Sequence, residues 1–165
     1  MGYDYEKFRN RDRIKKIFPF SSEKKKMATV YEDEKGKLYV FVKGAPDFMW
    51  PVCSHFVDRD SKVAKITEDF EHQYNGAIQE FAQGTLRTLC LAYKEVKAVP
   101  EDWSQIESGL IILSVVGIKD PLRDGIKEAV TQCHEGGVTV RMVTGDNKIT
   151  AIAIAKEAGI LSEDW

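Results

Sequence analysis

The sequence predicts an α+β domain, built on an antiparallel sheet with helices, that is joined to part of an α/β unit. In the first 120 residues, short β-rich runs alternate with turns, as in antiparallel hairpins. After residue 120 a helical pattern, an apolar run, a glycine-containing turn and a second helical pattern follow, which is typical of a parallel α/β sheet. A proline directly after a buried strand cannot extend a central ladder. The boundary is therefore predicted at Asp120-Pro121, with domains at 1–120 and 121–165.

Local signals predict each element of the first region. Residues 33–36 place acidic turn residues and a glycine between two β-rich runs, which indicates a hairpin. Pro46 suits the first position of a short helix, and Thr67 is a plausible N-cap for an amphipathic helix that Gly84 closes. In chain order we expect a strand near 17, a hairpin over 27–42, a helix from 46 to about 53, a hairpin over 56–66, a helix over 67–84, a strand over 85–96, a helical turn at 100–103 and a strand over 110–118.

The last strand of this series is predicted from an apolar run, and the elements of the second region are predicted from helical spacing and glycine-containing turns. Residues 110–118 form an almost continuous apolar run, so we expect that strand to be covered on both faces. After the boundary we expect a helix from 126 that Gly136-Gly137 closes, a strand over 138–143, a tight turn at 144–146, and a helix from 149 to near 159.

Composition excludes several classes of function. The 165 residues carry 24 Lys and Arg against 26 Asp and Glu, and this net charge of -2 argues against wholesale nucleic-acid binding. No apolar run approaches the roughly 18 residues of a membrane helix, so the chain is expected to be soluble. The cysteines and histidines are scattered, without the spacing of a metal site or a disulfide framework. We assign no structural metal and expect reduced, buried thiols.

Three features of the first region suit a nucleotide. Phe20 lies beside the lysines at 24–26, where a base can stack on the ring and phosphates can meet the cations, although a solvated turn is the plainer alternative. Lys43 ends a predicted strand, and Gly44 permits close backbone approach at a helix start. Arg87 is a cation in an otherwise apolar strand, and its alternative is an edge arginine that reaches solvent.

A second set of candidates follows the predicted strand at 138–143. Thr144, Gly145 and Asp146 would lie at its carboxyl end, where α/β folds bind ligands. A carboxylate there can hold Mg²⁺ or accept a proton, and the hydroxyl and amide can cradle a phosphoryl group. The plain alternatives are an Asp N-cap for the next helix and an ordinary ion pair between Asp120 and Arg123.

Taken together, these segments resemble the cytosolic part of the P-type ATPases over almost the whole chain. The sequences of these segments are most similar to those of the plasma-membrane-type calcium pumps. The motifs are FSSEKKKM at 20–27, FVKGAPD at 41–47, TLRTLCLAY at 85–93, GIKDPLR at 117–123 and VRMVTGDN at 140–147. The resemblance implies a nucleotide-binding domain followed by part of a haloacid-dehalogenase-like phosphorylation domain.

The resemblance also implies residue roles in the first region. Phe20 matches the aromatic on which adenine stacks, Lys25 and Lys43 match lysines that line the ATP pocket next to Gly44, and Arg87 matches an arginine that contacts the phosphates. In the reticulum-type calcium pumps an arginine stands at the position of Ser22. Lys24 or Lys26 is then the candidate to replace its phosphate contact.

Further along the chain, the segment from Asp120 to Arg123 matches the hinge between the two domains. Asp120 and Arg123 are both predicted to take part in cofactor binding. Thr144, Gly145 and Asp146 match the loop that positions the transferred γ-phosphoryl group, and they are the catalytic candidates.

The resemblance carries expectations for the whole protein. It implies ATP and Mg²⁺ as cofactors, the actuator and transmembrane domains of the same pump as partners, calmodulin as a partner of the parent protein, no nucleic acid, and a place on the cytosolic face of a membrane. Neither the DKTGT motif of the phosphorylated aspartate nor the GDGxNDxP element occurs in the chain. We therefore expect a fragment that binds ATP without hydrolysing it. A pump for Na⁺/K⁺ or H⁺ and a non-catalytic nucleotide-binding module are the alternatives.

Overall fold

A computed structural model describes residues 10–162 and residue 164. In this part of the chain seven strands form one mixed sheet, in the order β1-β2-β3-β6-β7-β4-β5. The strands are β1 (Ile14–Ser21), β2 (Lys26–Glu32), β3 (Leu38–Gly44), β4 (Cys53–Val57), β5 (Val63–Lys65), β6 (Leu86–Val96) and β7 (Leu110–Lys119). The helices are α1 (Pro46–Met49), α2 (Glu68–Gln83), α3 (Ile126–Glu135) and α4 (Lys148–Glu157), with 3-10 turns at Arg11–Arg13, Trp50–Val52 and Trp103–Gln105. The predicted α+β class is confirmed.

Most of the sheet is antiparallel, as predicted. β1 pairs with β2, β2 with β3, β3 with β6, and β4 with β5, all antiparallel. The prediction missed one parallel pair, in which Cys53 of β4 lies beside Leu110 of β7. A parallel pair needs a long crossover connection, and local patterns do not show which distant strands such a connection joins.

The described residues form two compact units. The first contains the residues up to Glu71 together with Leu89–Val116. The second contains His72–Thr88 and the residues from Gly117 onward. The domain boundary at Asp120-Pro121 stays a prediction.

The core of the first unit follows from strand alternation. Every second residue of the paired strands β2, β3 and β6 faces inward, because successive side chains of a strand point to opposite faces. The inward set includes Ala28, Val30, Val40, Val42 and Ala92, all 2% exposed or less. The small and β-branched side chains of this set pack well on the buried face of a pleated sheet.

The opposite face of the same strands carries a row of aromatic side chains. Phe41 is 43% exposed, and its ring centroid lies 6.2 Å from that of Tyr39 and 6.3 Å from that of Tyr93. Phe41 and Tyr93 are a cross-strand pair, and aromatic pairs of this kind stabilise a sheet. They also leave an apolar surface on the first unit.

The local signals that predicted the hairpins and the first helix are confirmed. At the β2–β3 turn, Asp33 Oδ1 accepts hydrogen bonds from the amides of Lys35 and Lys37, both at 2.8 Å. Gly36 adopts a φ of 76° there, which glycine adopts without strain. Pro46 stands at the start of α1, and β4 and β5 form the second predicted hairpin.

The second unit contains most of α2 and the two C-terminal helices, at the positions predicted. Gly137, with a φ of 73°, follows α3, and Asn147 caps α4 by accepting the Thr150 amide at 2.9 Å. Gly84 directly follows α2, so the prediction that it closes this helix is confirmed. The next residue, Thr85, has a left-handed φ of 61°.

Two predictions about strands were wrong. No strand is formed at 138–143, and Val143 is 98% exposed. A strand needs a hydrogen-bonded neighbour, and within residues 10–162 none lies beside this segment, although its composition is β-rich. β7 is present, but it is not covered on both faces, since Leu113 and Ile118 are 43% and 49% exposed. None of the helices described has the length and apolarity needed to cross a bilayer.

Candidate nucleotide site

The lysine-rich turn between β1 and β2 is organised by one carboxylate. Glu107 accepts hydrogen bonds from Lys24 Nζ at 3.1 and 3.2 Å, and its Oε1 lies 2.9 Å from Lys26 Nζ. The Lys26 side chain is only 6% exposed, so this ion pair is buried on the lysine side. Two of the three consecutive lysines are therefore bound to a protein carboxylate.

The ionisation of Glu107 reflects this pairing. Burial acts to raise the pKa of the Glu107 carboxyl, but the hydrogen bonds and charges of Lys26 and Lys24 outweigh it and leave the pKa lowered. Glu107 is therefore ionised at neutral pH. Lys24 and Lys26 were the sequence-based candidates to replace the phosphate contact of an arginine at Ser22, and the structure uses both of them to hold Glu107.

Lys25 differs from its two neighbours. It is exposed, and within the described residues no carboxylate lies within ion-pair distance of its ammonium group. Its backbone has a φ of 51°, and both its amide and its carbonyl form hydrogen bonds. The Lys25 amide donates to Ser21 O at 2.7 Å, and the Lys25 carbonyl accepts the Ala45 amide at 3.0 Å.

Gly44 brings the second cationic segment against this turn. A Cβ atom at Gly44 would lie 2.7 Å from Lys25 O and 2.7 Å from Lys26 Cγ. The prediction that Gly44 permits close backbone approach is confirmed for the protein's own chain. Lys25 and the segment that follows Lys43 are thus joined by a hydrogen bond and by a contact that only glycine allows.

An open groove of about 290 Å³ lies on the aromatic face of the first unit. It is lined by Met27, Thr29, Phe41, Val42, Lys43, Leu91, Ala92 and Leu113. Lys43 is the one cation in this lining, which is otherwise almost entirely apolar. Phe20 is 59% exposed at the end of β1 and does not belong to the lining residues described.

A second groove on this face, of about 240 Å³, shares Phe41 and Leu113 with the first. Tyr31, Asp33, Tyr39 and Tyr93 complete its lining. The first unit therefore presents a continuous apolar and aromatic surface, and a cation stands at the Lys43 end of it. Such a combination suits a ligand with a flat apolar part and an anionic part.

In the second unit, Arg87 joins the other candidates in a cluster of charges. Its Nε lies 3.0 Å from Asp146 Oδ1 and its Nη2 lies 3.3 Å from Oδ2, a two-point contact. Asp120 Oδ2 is 3.5 Å from Nη1. Thr144 Oγ1 donates to Asp146 Oδ2 at 2.9 Å and accepts the Asp146 amide at 3.1 Å. One arginine therefore connects the TGD turn with the DPLR segment.

The contacts in this cluster test the two plain alternatives from the sequence, an Asp N-cap for the next helix and an ion pair between Asp120 and Arg123. Asp146 is not the N-cap of α4, because Asn147 has that role. Asp120 forms its ion pair with Arg87, whereas Arg123 stands exposed before α3. Gly145 lies in the turn with open space around its Cα, since a Cβ there would meet nothing within 4 Å.

The predicted site residues thus fall into two groups. Phe20, Lys25, Lys43 and Gly44 belong to the first unit, and Arg87, Asp120, Arg123, Thr144, Gly145 and Asp146 belong to the second. The convergence of Phe20, Lys43 and Arg87 on one ligand stays a prediction. Sequence reasoning missed Glu107, which no local pattern marks as the partner of lysines more than 80 residues away.

The fold and these motifs define a class of protein. A sequence model described as the P-type ATPase, cytoplasmic domain N, matches residues 1–125, and the chain belongs to this family. The chain is 42% identical, over 99% of its length, to "Calcium-transporting ATPase 4, plasma membrane-type" of Arabidopsis thaliana. It is 45% identical, over 90% of its length, to "Probable calcium-transporting ATPase 8, plasma membrane-type" of Oryza sativa subsp. japonica. It spans 16% and 15% of the lengths of these relatives. The resemblance drawn from the motifs is confirmed.

Proposed function

We propose that this chain is the ATP-binding part of a P-type ATPase that transports Ca²⁺ across a membrane. One observation carries the proposal. The cationic segments around Lys25 and Lys43 are joined through Gly44 and the Ala45–Lys25 hydrogen bond, and Lys43 stands at the end of an apolar groove. ATP combines a flat aromatic base with a chain of negative charges, which is the chemistry this surface complements.

The proposed roles in the first unit follow from exposure and charge. Lys25 and Lys43 are exposed cations and would contact the phosphates, because neither is held by a carboxylate in the described structure. Phe20 is an exposed ring that would stack on adenine. Gly44 keeps the two cationic segments in contact. These residues bind and orient the nucleotide, and they supply no reacting group.

The part of the second unit from residue 121 onward is proposed to belong to a haloacid-dehalogenase-like phosphorylation domain. Thr144, Gly145 and Asp146 would position the γ-phosphoryl group, Arg87 would contact the phosphates, and the segment from Asp120 to Arg123 would be the hinge. The parent reaction would form an aspartyl-phosphate, whose motif is absent from this sequence. This chain alone is therefore expected to bind ATP without turning it over.

Mg²⁺ is the proposed metal of the parent reaction, but the residues described here do not form its site by themselves. Asp120 and Asp146 both face the Arg87 guanidinium, which already balances part of their charge. No group of three potential metal ligands is found within the described residues. We propose that the remaining ligands come from the nucleotide and from the rest of the pump.

The names of the similar plant proteins support Ca²⁺ as the transported ion. Ion choice in a pump depends on carboxylates within the membrane, so a direct test needs the parent protein. Its proposed partners are its own actuator and transmembrane domains and calmodulin, and its proposed location is the cytosolic face of a membrane.

An NMR titration of the chain with a non-hydrolysable ATP analogue tests nucleotide binding. Shift changes are expected at Phe20, Lys25 and Lys43, with a dissociation constant of roughly 1 mM, about -4 kcal/mol. Lys43→Ala should weaken binding about tenfold, since a hydrogen bond to a charged group contributes about 1.5–3 kcal/mol.

Lys62→Ala is the matched control for this titration. It removes the same charge from an exposed lysine at the tip of the β4–β5 hairpin. Binding should remain at the wild-type level in this variant. Equal affinities for the Lys43 and Lys62 variants would show that Lys43 does not contact the nucleotide, and absence of binding by the wild-type chain would refute the proposed function.

A further inference from the structure

Glu107 is fixed in place before any ligand arrives. It follows Ile106, which is fully buried, and its amide donates to Trp103 O at 3.0 Å. The Trp103 ring packs at 5.4 Å from the ring of Phe18, which belongs to the core. The carboxylate of Glu107 therefore stands on a rigid support at the entrance to β7.

This carboxylate holds the lysine turn on both sides of Lys25. Lys24, whose Nζ also lies 5.9 Å from the centre of the Trp103 ring, and Lys26 both bind Glu107. Between these two anchors the backbone reverses, with Lys25 in the left-handed region and its carbonyl bonded to Ala45. The pairing leaves the third lysine as the cation available to an anionic ligand.

We propose that Glu107 is a positioning residue for nucleotide binding, which acts by fixing the turn that presents Lys25 to the phosphates. The inference rests on the proposed function and adds a residue to it. A simpler view makes the opposite prediction. If Glu107 affected the site only through its negative charge, its removal would make the turn more positive and would tighten the binding of an anionic nucleotide.

The test is a double-mutant cycle on the 165-residue chain, with the affinity for the ATP analogue as the readout. Glu107→Gln should weaken binding about threefold to tenfold, and Lys25→Ala should weaken it by a similar factor. Adding Glu107→Gln to Lys25→Ala should change the affinity less than about twofold, because the positioned cation is already absent. Tighter binding by Glu107→Gln, or fully additive effects, would overturn the proposal.

Two further variants separate a positioning role of Glu107 from an effect of its charge and from a general effect of substitution on the fold. Glu107→Asp keeps the charge but is one methylene shorter, so positioning predicts weaker binding and a pure charge effect predicts wild-type affinity. Glu95→Gln is the matched control, because Glu95 pairs with exposed Lys37 at 3.3 Å and lies beside Tyr39, four residues along β3 from Lys43. Its affinity should equal that of the wild type.

Amide hydrogen exchange without ligand separates this proposal from the proposed function. The Ala45 amide, which is bonded to Lys25 O, should exchange faster in Glu107→Asp than in the wild type. Unchanged protection would refute the positioning role even if the chain binds ATP. Faster exchange in a chain that does not bind ATP would instead refute nucleotide binding, and with it the role of Glu107 toward a nucleotide.

Discussion

Gly44→Ala tests the contact that joins the two cationic segments. The added Cβ would lie 2.7 Å from the Lys25 carbonyl oxygen, 2.7 Å from Lys26 Cγ and 3.2 Å from Lys26 Cα. Real Cβ atoms do not approach other heavy atoms this closely, so the backbone of the lysine turn must move away. That movement would break the 3.0 Å hydrogen bond from the Ala45 amide to Lys25 O.

The expected magnitude follows from three contributions to the free energy of unfolding. Overpacking destabilises by about 1–3 kcal/mol, and the lost hydrogen bond removes about 1 kcal/mol. Replacing glycine restricts the unfolded chain, which returns about 0.4–1 kcal/mol. The net expectation is a loss of roughly 1–3 kcal/mol. Urea denaturation followed by circular dichroism measures this loss.

Gly76→Ala is the matched control within the same chain. Gly76 lies inside α2, and a Cβ there would meet nothing within 4 Å. Alanine is the better helix former, so this variant should be more stable than the wild type by about 0.5–1 kcal/mol. The reasoning is refuted if Gly44→Ala matches or exceeds the wild-type stability while Gly76→Ala behaves as expected.

Three further predictions concern charge and strain. The pKa of Glu107 is lowered in the folded state, so its contribution to stability is present above its unfolded pKa and is lost as pH falls through its folded pKa. A plot of the free energy of unfolding from pH 7 to pH 3 should therefore be flatter for Glu107→Gln than for the wild type. Identical plots for the two proteins would contradict this prediction. A double-mutant cycle of Arg87→Ala and Asp146→Asn should give a coupling of about 0.5–1 kcal/mol that decreases in salt, since the pair is partly exposed; zero coupling at low salt would count against the ion pair. Thr85→Gly should raise the thermal midpoint, because it removes a β-branched residue from a φ of 61° and a buried hydroxyl with no partner among the described residues; a lowered midpoint would show that Thr85 is not strained.

The elements that local signals define could be predicted from the sequence. The turn at 33–36 predicted the β2–β3 hairpin because its acidic residue and glycine act within a few residues of each other. Thr67 likewise caps α2, since its hydroxyl accepts the Phe70 amide at 3.3 Å. Gly84 was predicted to close α2, and the helix ends directly before it. The left-handed φ of Thr85 was not predicted, because a β-branched residue disfavours that conformation.

Elements that depend on distant partners could not be predicted in this way. The run at 138–143 has the composition of a buried strand, but composition does not reveal whether a neighbouring strand is present. Lys24 and Glu107 are 83 residues apart, so the three lysines looked equivalent in the sequence. Only the structure distinguishes Lys25, which is available to a ligand, from its two paired neighbours.

The backbone conformation of Lys25 is one that glycine adopts more easily than lysine. A left-handed backbone destabilises a non-glycine residue by about 1–2 kcal/mol. Its two backbone hydrogen bonds, at 2.7 and 3.0 Å, offset a comparable amount at about 1 kcal/mol each. A glycine would make the same two bonds without the strain, so backbone stability alone would favour glycine. Backbone conformation therefore does not account for the lysine, and the role proposed for its side chain is to present a cation to an anionic ligand.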